Sequence, residues 1–187
     1  MPPGKALKQK TKITTLTKVK MINLSKAPKL GAAAVLHNAT NLSILWDANA
    51  NSVTFHIHVI ANVDPGTNND NPHAPVVSLP QNFSLFFYNG QGQWSTSPSP
   101  PPLYGPDGDG KGLKQSPPYL ANAQNGQLVG VTGPESNGGY IVVPYTTANG
   151  WRNTTGRDLS LRFFINDVVG SYADNVGSVD CDVVISP

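Results

Sequence analysis

Apolar and polar residues alternate with a period of two in one short stretch after another of this chain. The clearest case is 52–60, where Val53, Phe55, Ile57 and Val59 interleave with Thr54, His56 and His58. Successive strand residues point to opposite faces, so this pattern predicts a strand with one buried side. Short apolar runs at 42–46, 76–79, 83–88, 128–131, 140–145, 159–165 and 179–185 also read as strands, which gives about eight. Asn, Asp, Gly and Pro cluster between them, as at 47–51 and 64–75, and mark turns. No stretch carries the 3.6-residue repeat of a long amphipathic helix. The expectation is an all-β chain folded as a jelly-roll-like β-sandwich.

Composition fits that expectation. Charged residues make up only 13% of the 187, too few for helices laced with ion pairs, and the length suits a single domain. One cysteine, Cys181, excludes an intramolecular disulfide, and its place in an alternating run predicts a small buried apolar residue. The net charge of +2 conceals a division. Residues 1–46 hold eight lysines and no acid, whereas the rest hold five basic residues against eleven acids. The chain therefore divides into a basic N-terminal arm or first strand, 1–29, and a β-sandwich domain, 30–187. Such an arm could meet nucleic acid through counterion release. With no Arg and no aromatic residue interleaved, a solvated tail or strand face is the better reading.

No apolar stretch of the signal-peptide kind follows the early lysines, and nothing reaches the ~20 apolar residues that span a bilayer. A soluble chain without a classical export signal is expected. Catalysis is not expected either. There is no Gly-x-Ser-x-Gly, phosphate-binding loop or Cys/His constellation.

Chemistry concentrates in Asn166-Asp167-Val168-Val169-Gly170-Ser171-Tyr172-Ala173-Asp174-Asn175, between the last two strands. It offers carboxylates, an amide and a glycine, with no basic residue. Calcium takes six to eight oxygens at roughly 2.3–2.6 Å from such groups and tolerates irregular geometry. Seven positions separate Asp167 from Asp174, room for a turn that returns both to one ion while Gly170 relaxes the backbone. The same residue types also build Asx turns with no metal. The loop is expected to lie outside the core.

Continued to Ser178, this stretch reads NDVVGSYADNVGS and resembles the calcium-and-sugar loop of the PA-IL (LecA-like) galactophilic lectins, Asn-Asp-Val-x-Gly-(Thr/Ser)-Tyr-x-(Asn/Asp)-Asn-x-Gly-Ser. Upstream echoes follow in the same order: an apolar run into Gly-x-Trp over 83–94, Tyr-Gly-Pro-Asp-Gly over 104–108, and 126–133. The resemblance spans about residues 80–187. It implies that Asp167, Asp174 and Asn175 give side-chain oxygens to calcium, that Ser171 gives its backbone carbonyl, and that Ser97, three residues past Trp94, gives another. It implies a sugar floor of Asp167, Val168 through its backbone, Ser171 and Asp174, with Gln115 at the sugar edge. Asp174 stands where the family has Asn, and no histidine lies near 111–115 where the family has one. The implied ligand is a galactose-type glycan, and the implied form is a homo-oligomer, since single calcium–sugar contacts are weak and multivalency supplies avidity.

Two smaller clusters remain. His56 and His58 share one strand face and could hold zinc, but no carboxylate lies within five residues, and a structural or surface role is expected. Asp107 and Asp109 mimic the start of a calcium loop without its downstream glutamate and are expected to shape a turn. The leading reading is a calcium-dependent carbohydrate-binding protein. Its competitor is a structural, shell-like β-sandwich subunit whose basic arm contacts nucleic acid.

Overall fold

The computed structural model describes the backbone of 42–47 and residues 51–63, 73–96, 103–110, 123–133, 140–168 and 170–187. The basic arm 1–29, most of the proline-rich run after Ser95, Ser97 and Gln115 lie outside the described residues. The described chain is all-β, as the alternation predicts. Nine strands run in the order β1 (Leu42–Asp47), β2 (Ser52–Ile60), β3 (Val76–Leu79), β4 (Ser84–Ser95), β5 (Leu128–Thr132), β6 (Ile141–Pro144), β7 (Trp151–Arg152), β8 (Leu159–Ile165) and β9 (Val176–Ser186). They form two antiparallel sheets, one of five strands ordered β1-β2-β9-β4-β7 and one of four ordered β3-β8-β5-β6. No helix among the described residues is long and apolar enough to cross a membrane.

The period of two decides what is buried. In β2, Val53, Phe55, Ile57 and Val59 point inward, and in β9 so do Val179, Cys181, Val183 and Ile185. They meet Val77 and Leu79 of β3, Val129 and Val131 of β5, and Leu161 and Phe163 of β8 in one core between the sheets. Phe163 stands edge-on to Phe87, with ring centroids 6.2 Å apart, which joins the sheets through an aromatic pair. Each such side chain contributes about 1.5–3 kcal/mol through area removed from water.

Two elements depart from the sequence pattern. The strand expected at 83–88 continues to Ser95, because the polar run Asn89-Gly90-Gln91-Gly92 forms an irregularity between Tyr88 and Gln91 and not a turn. Asn89 sits at φ 51° within it, a left-handed conformation that Asn tolerates. β7, with only two residues paired to Ser84 and Leu85, is too short to carry a period. Elsewhere, Trp94 and Tyr104, on either side of the Pro-rich stretch of sequence, exchange backbone hydrogen bonds of 3.0 and 2.8 Å.

Gly177 carries the tightest approach between β4 and β9. Its φ is +94°, and a Cβ there would lie 2.2 Å from the Gln93 carbonyl oxygen. Replacing Gly177 with Ala is expected to destabilise the sheet by more than ~1 kcal/mol, measured as a lower urea midpoint at unchanged m-value.

Burial pushes the Cys181 thiol up to about 12 from 9.0, with the Asp182 charge adding to the effect. Burial likewise raises the Tyr145 phenol. Above pH 9 the unfolded chain releases a thiol proton that the folded chain keeps, so folding stability falls as pH rises from about 9 to 12. Chemical denaturation across that window should show this decline, and Cys181→Ala should reduce it.

Candidate functional site

The 166–175 loop is built by what flanks it. β8 delivers Ile165, and Asn166 then leaves the sheet fully buried, so its polar groups need partners inside the protein. Its backbone N–H donates to the Gln127 carbonyl at 2.7 Å and its carbonyl accepts from the Gly126 N–H at 2.8 Å. Its side-chain amide donates to the Gln124 carbonyl at 2.8 Å. Trp94 Nε1 donates to the Gly126 carbonyl at 2.7 Å. The segments around Trp94, 104–108 and 126 that echo the lectin pattern thus converge on the loop, for Asp107 also bridges to Gln127. Asp107 belongs to a turn closed by the Gly108 N–H donating to the Gly105 carbonyl at 3.1 Å, and Asp109 follows it, its N–H donating to the Asn125 carbonyl at 3.0 Å.

The expectation that the loop lies outside the core needs correction at Tyr172. That residue is 1% exposed and belongs to the hydrophobic core. Its ring meets Phe164 edge-on, with centroids 6.4 Å apart. Its hydroxyl donates to the Ile165 carbonyl at 2.7 Å and accepts from the Asp167 N–H at 3.2 Å. A surface loop of polar composition is therefore pinned from beneath by one aromatic ring. Sequence reasoning assigned Tyr172 no part, although an aromatic residue amid Asn, Asp, Ser and Gly was the available signal.

Above this anchor sits Asp167, only 6% exposed. One carboxylate oxygen accepts from the Val168 N–H at 2.7 Å, and the other from the Asn175 amide at 2.9 Å. Asn175 is 3% exposed, and its amide nitrogen also reaches the Ala61 carbonyl at 3.3 Å. Two acceptors on one side fix the sense of that amide, because turning it over would set oxygen against oxygen. The Asn175 Oδ1 is then left buried with no hydrogen-bond partner among the described residues, and the Asn166 Oδ1 is in the same position.

The other expected ligands lie toward the surface. Gly170 adopts φ +87° with open space around it, and the Ser171 N–H closes a turn onto the Val168 carbonyl at 2.9 Å. Residues Tyr172–Asp174 form a single 3₁₀ turn, after which the Asn175 N–H donates to the Tyr172 carbonyl at 3.1 Å. Ser171 and Asp174 are exposed, and Val168 is half-buried. The fold brings Asp167 and Asn175 into direct contact and leaves Ser171 and Asp174 exposed in the same loop. Among the described residues, no group of three or more His, Cys, Asp or Glu side chains gathers around one point. Any cation here would draw on amide and carbonyl oxygens as well as carboxylates.

Tyr172→Phe tests the anchor. Losing the hydroxyl leaves the Asp167 N–H and the Ile165 carbonyl without that partner, a cost of about 1–3 kcal/mol. The expected result is a lower urea midpoint together with faster amide exchange at Asp167.

No family model and no curated protein matches the chain. Among solved structures, the chain is similar to one described as "EclA N-terminal domain; PllA-like lectin". The identity is 19% and the TM-score 0.42, over 75% of this chain and 95% of that one. At that score the likeness carries no argument about function.

Proposed function

We propose that this protein binds carbohydrate through a calcium ion held by the 166–175 loop, with galactose-type glycans as the ligand class. The reading rests on the NDVVGSYADNVGS pattern, and the observation that carries it is the Asn175 Oδ1. A buried amide oxygen without a partner costs about 1–3 kcal/mol, and a cation relieves that cost. Beside it, the Asp167 carboxylate accepts hydrogen bonds from the Val168 N–H and the Asn175 amide. Hard oxygen donors of this kind suit calcium.

In this reading Asp167 and Asn175 form the buried half of the ligand set, already oriented by the Val168 N–H, the Ala61 carbonyl and the Tyr172 anchor. Asp174 and the Ser171 carbonyl complete it from the exposed side. Asp167, the Val168 backbone, Ser171 and Asp174 also present acceptors and donors to sugar hydroxyls. Ser97 and Gln115 keep the roles implied by the resemblance. Calcium, when bound, supplies open coordination positions for vicinal hydroxyls. Weak single contacts of this sort favour a homo-oligomer that presents several sites together.

Calcium binding to the folded chain alone raises stability, by about 2.7 kcal/mol at a hundredfold excess over the dissociation constant. The expected results are a calcium-dependent rise in Tm that magnesium does not reproduce, and glycan-array binding lost on chelation and regained with calcium. Asp174→Ala, at an exposed position, should weaken both without unfolding the chain, and Asp167→Ala should abolish both. Sugar binding that survives chelation or Asp167→Ala would overturn the assignment. If a trapped water satisfies Asn175 Oδ1, calcium leaves Tm unchanged and the assignment fails.

A further inference from the structure

The outer face of the five-stranded sheet carries a second cluster, assembled by strand register. β2 pairs with β9 so that His56 stands opposite Asp182 and His58 opposite Asp180. The His56 Nδ1 hydrogen-bonds Asp182 Oδ1, and the His58 Nδ1 hydrogen-bonds Asp180 Oδ1 at 2.8 Å. The irregularity in β4 adds a third partner, since Asn89 donates from its amide to Asp182 Oδ2 at 2.7 Å. Asp182 is thereby held through both oxygens. These carboxylates are invisible beside the histidines in the sequence, because 122 and 126 positions separate the partners.

An ionised carboxylate only accepts, so each Nδ1 must carry the proton. In the neutral imidazole the lone pair then resides on Nε2, with the ring orientation fixed by the carboxylate. Metal-binding histidines are commonly arranged in this way, one ring nitrogen donating to a carboxylate and the other coordinating. Two such rings stand two residues apart on one strand face, about 6.7 Å along the strand, and lean of the side chains can direct both Nε2 atoms to one ion. Both rings are substantially exposed, with side-chain accessibilities of 48% and 38%, so an ion can reach them and water can fill its remaining positions.

We propose that His56 and His58 bind a borderline divalent transition-metal ion such as Zn²⁺ or Cu²⁺ through Nε2, with Asp182, Asp180 and Asn89 as positioning residues. This site is independent of the calcium loop in both residues and chemistry. Imidazole selects copper, nickel and zinc, whereas calcium takes oxygen ligands.

The test is calorimetric titration of Zn²⁺ into the full-length, untagged chain stripped of transition metals and kept in excess calcium. One zinc per chain with micromolar affinity is expected, with Cu²⁺ tighter. His56→Ala and His58→Ala should each weaken zinc at least tenfold. Asp182→Asn should weaken it about 10–100-fold while the folded signal in circular dichroism is unchanged, and His73→Ala should leave the affinity unaltered. Ring resonances of His56 and His58 should shift on zinc addition in NMR spectra. A parent chain that fails to bind zinc more tightly than millimolar would overturn the proposal. So would a His56→Ala/His58→Ala double variant that binds zinc as tightly as the parent.

Discussion

The pairing of β9 with β2 on one side and with β4 on the other sets the position of the histidine–carboxylate cluster and of the far end of the candidate loop. Because strand side chains alternate between faces, one register commits two surfaces at once. It seals Val179, Cys181, Val183 and Ile185 into the core, and it lays Asp180 and Asp182 against the histidines outside. A slip by one position would reverse both rows. The same strand begins where the polar loop ends, so its register also determines where Asn175 meets Ala61 and Asp167.

The loop itself reverses the usual arrangement of a surface connection. Asn166, Asp167 and Asn175 are buried polar residues, and Tyr172 supplies the apolar mass beneath them. Burying amides and a carboxylate is costly unless their hydrogen bonds are made. Most here are made, to the carbonyls of Gln124 and Ala61 and to the Val168 N–H. The two amide oxygens left over are therefore informative. Natural structures seldom leave such atoms without water or an ion beside them.

β2 was legible in the sequence because Val53, Phe55, Ile57 and Val59 alternate with polar residues, and β3, β8 and β9 because short, partly alternating apolar runs stand between turn residues; the inward position of Cys181 followed from its place between Asp180 and Asp182. It was least legible where identity and geometry part company. Asn89-Gly90-Gln91-Gly92 has the composition of a turn yet continues β4, because β9 offers it backbone partners on both sides of the irregularity. β7 exists only as a short supplement to β4. At the candidate site, the residue types of the loop were readable, and so was the glycine at 170. The contact between Asp167 and Asn175, the depth of Tyr172 and the carboxylates facing His56 and His58 were not, since each depends on which strands become neighbours.

Cys181 lies on a strand hydrogen-bonded along both edges, and the residue is 3% exposed. A thiol so placed meets reagent only when the middle of the five-stranded sheet parts, an event that ranks among the rarest openings of a β-fold. As the lone sulfhydryl of the chain, it is a native clock for that event. Its alkylation rate records how often the sheet's interior is laid bare, and no probe need be engineered into the protein to read it.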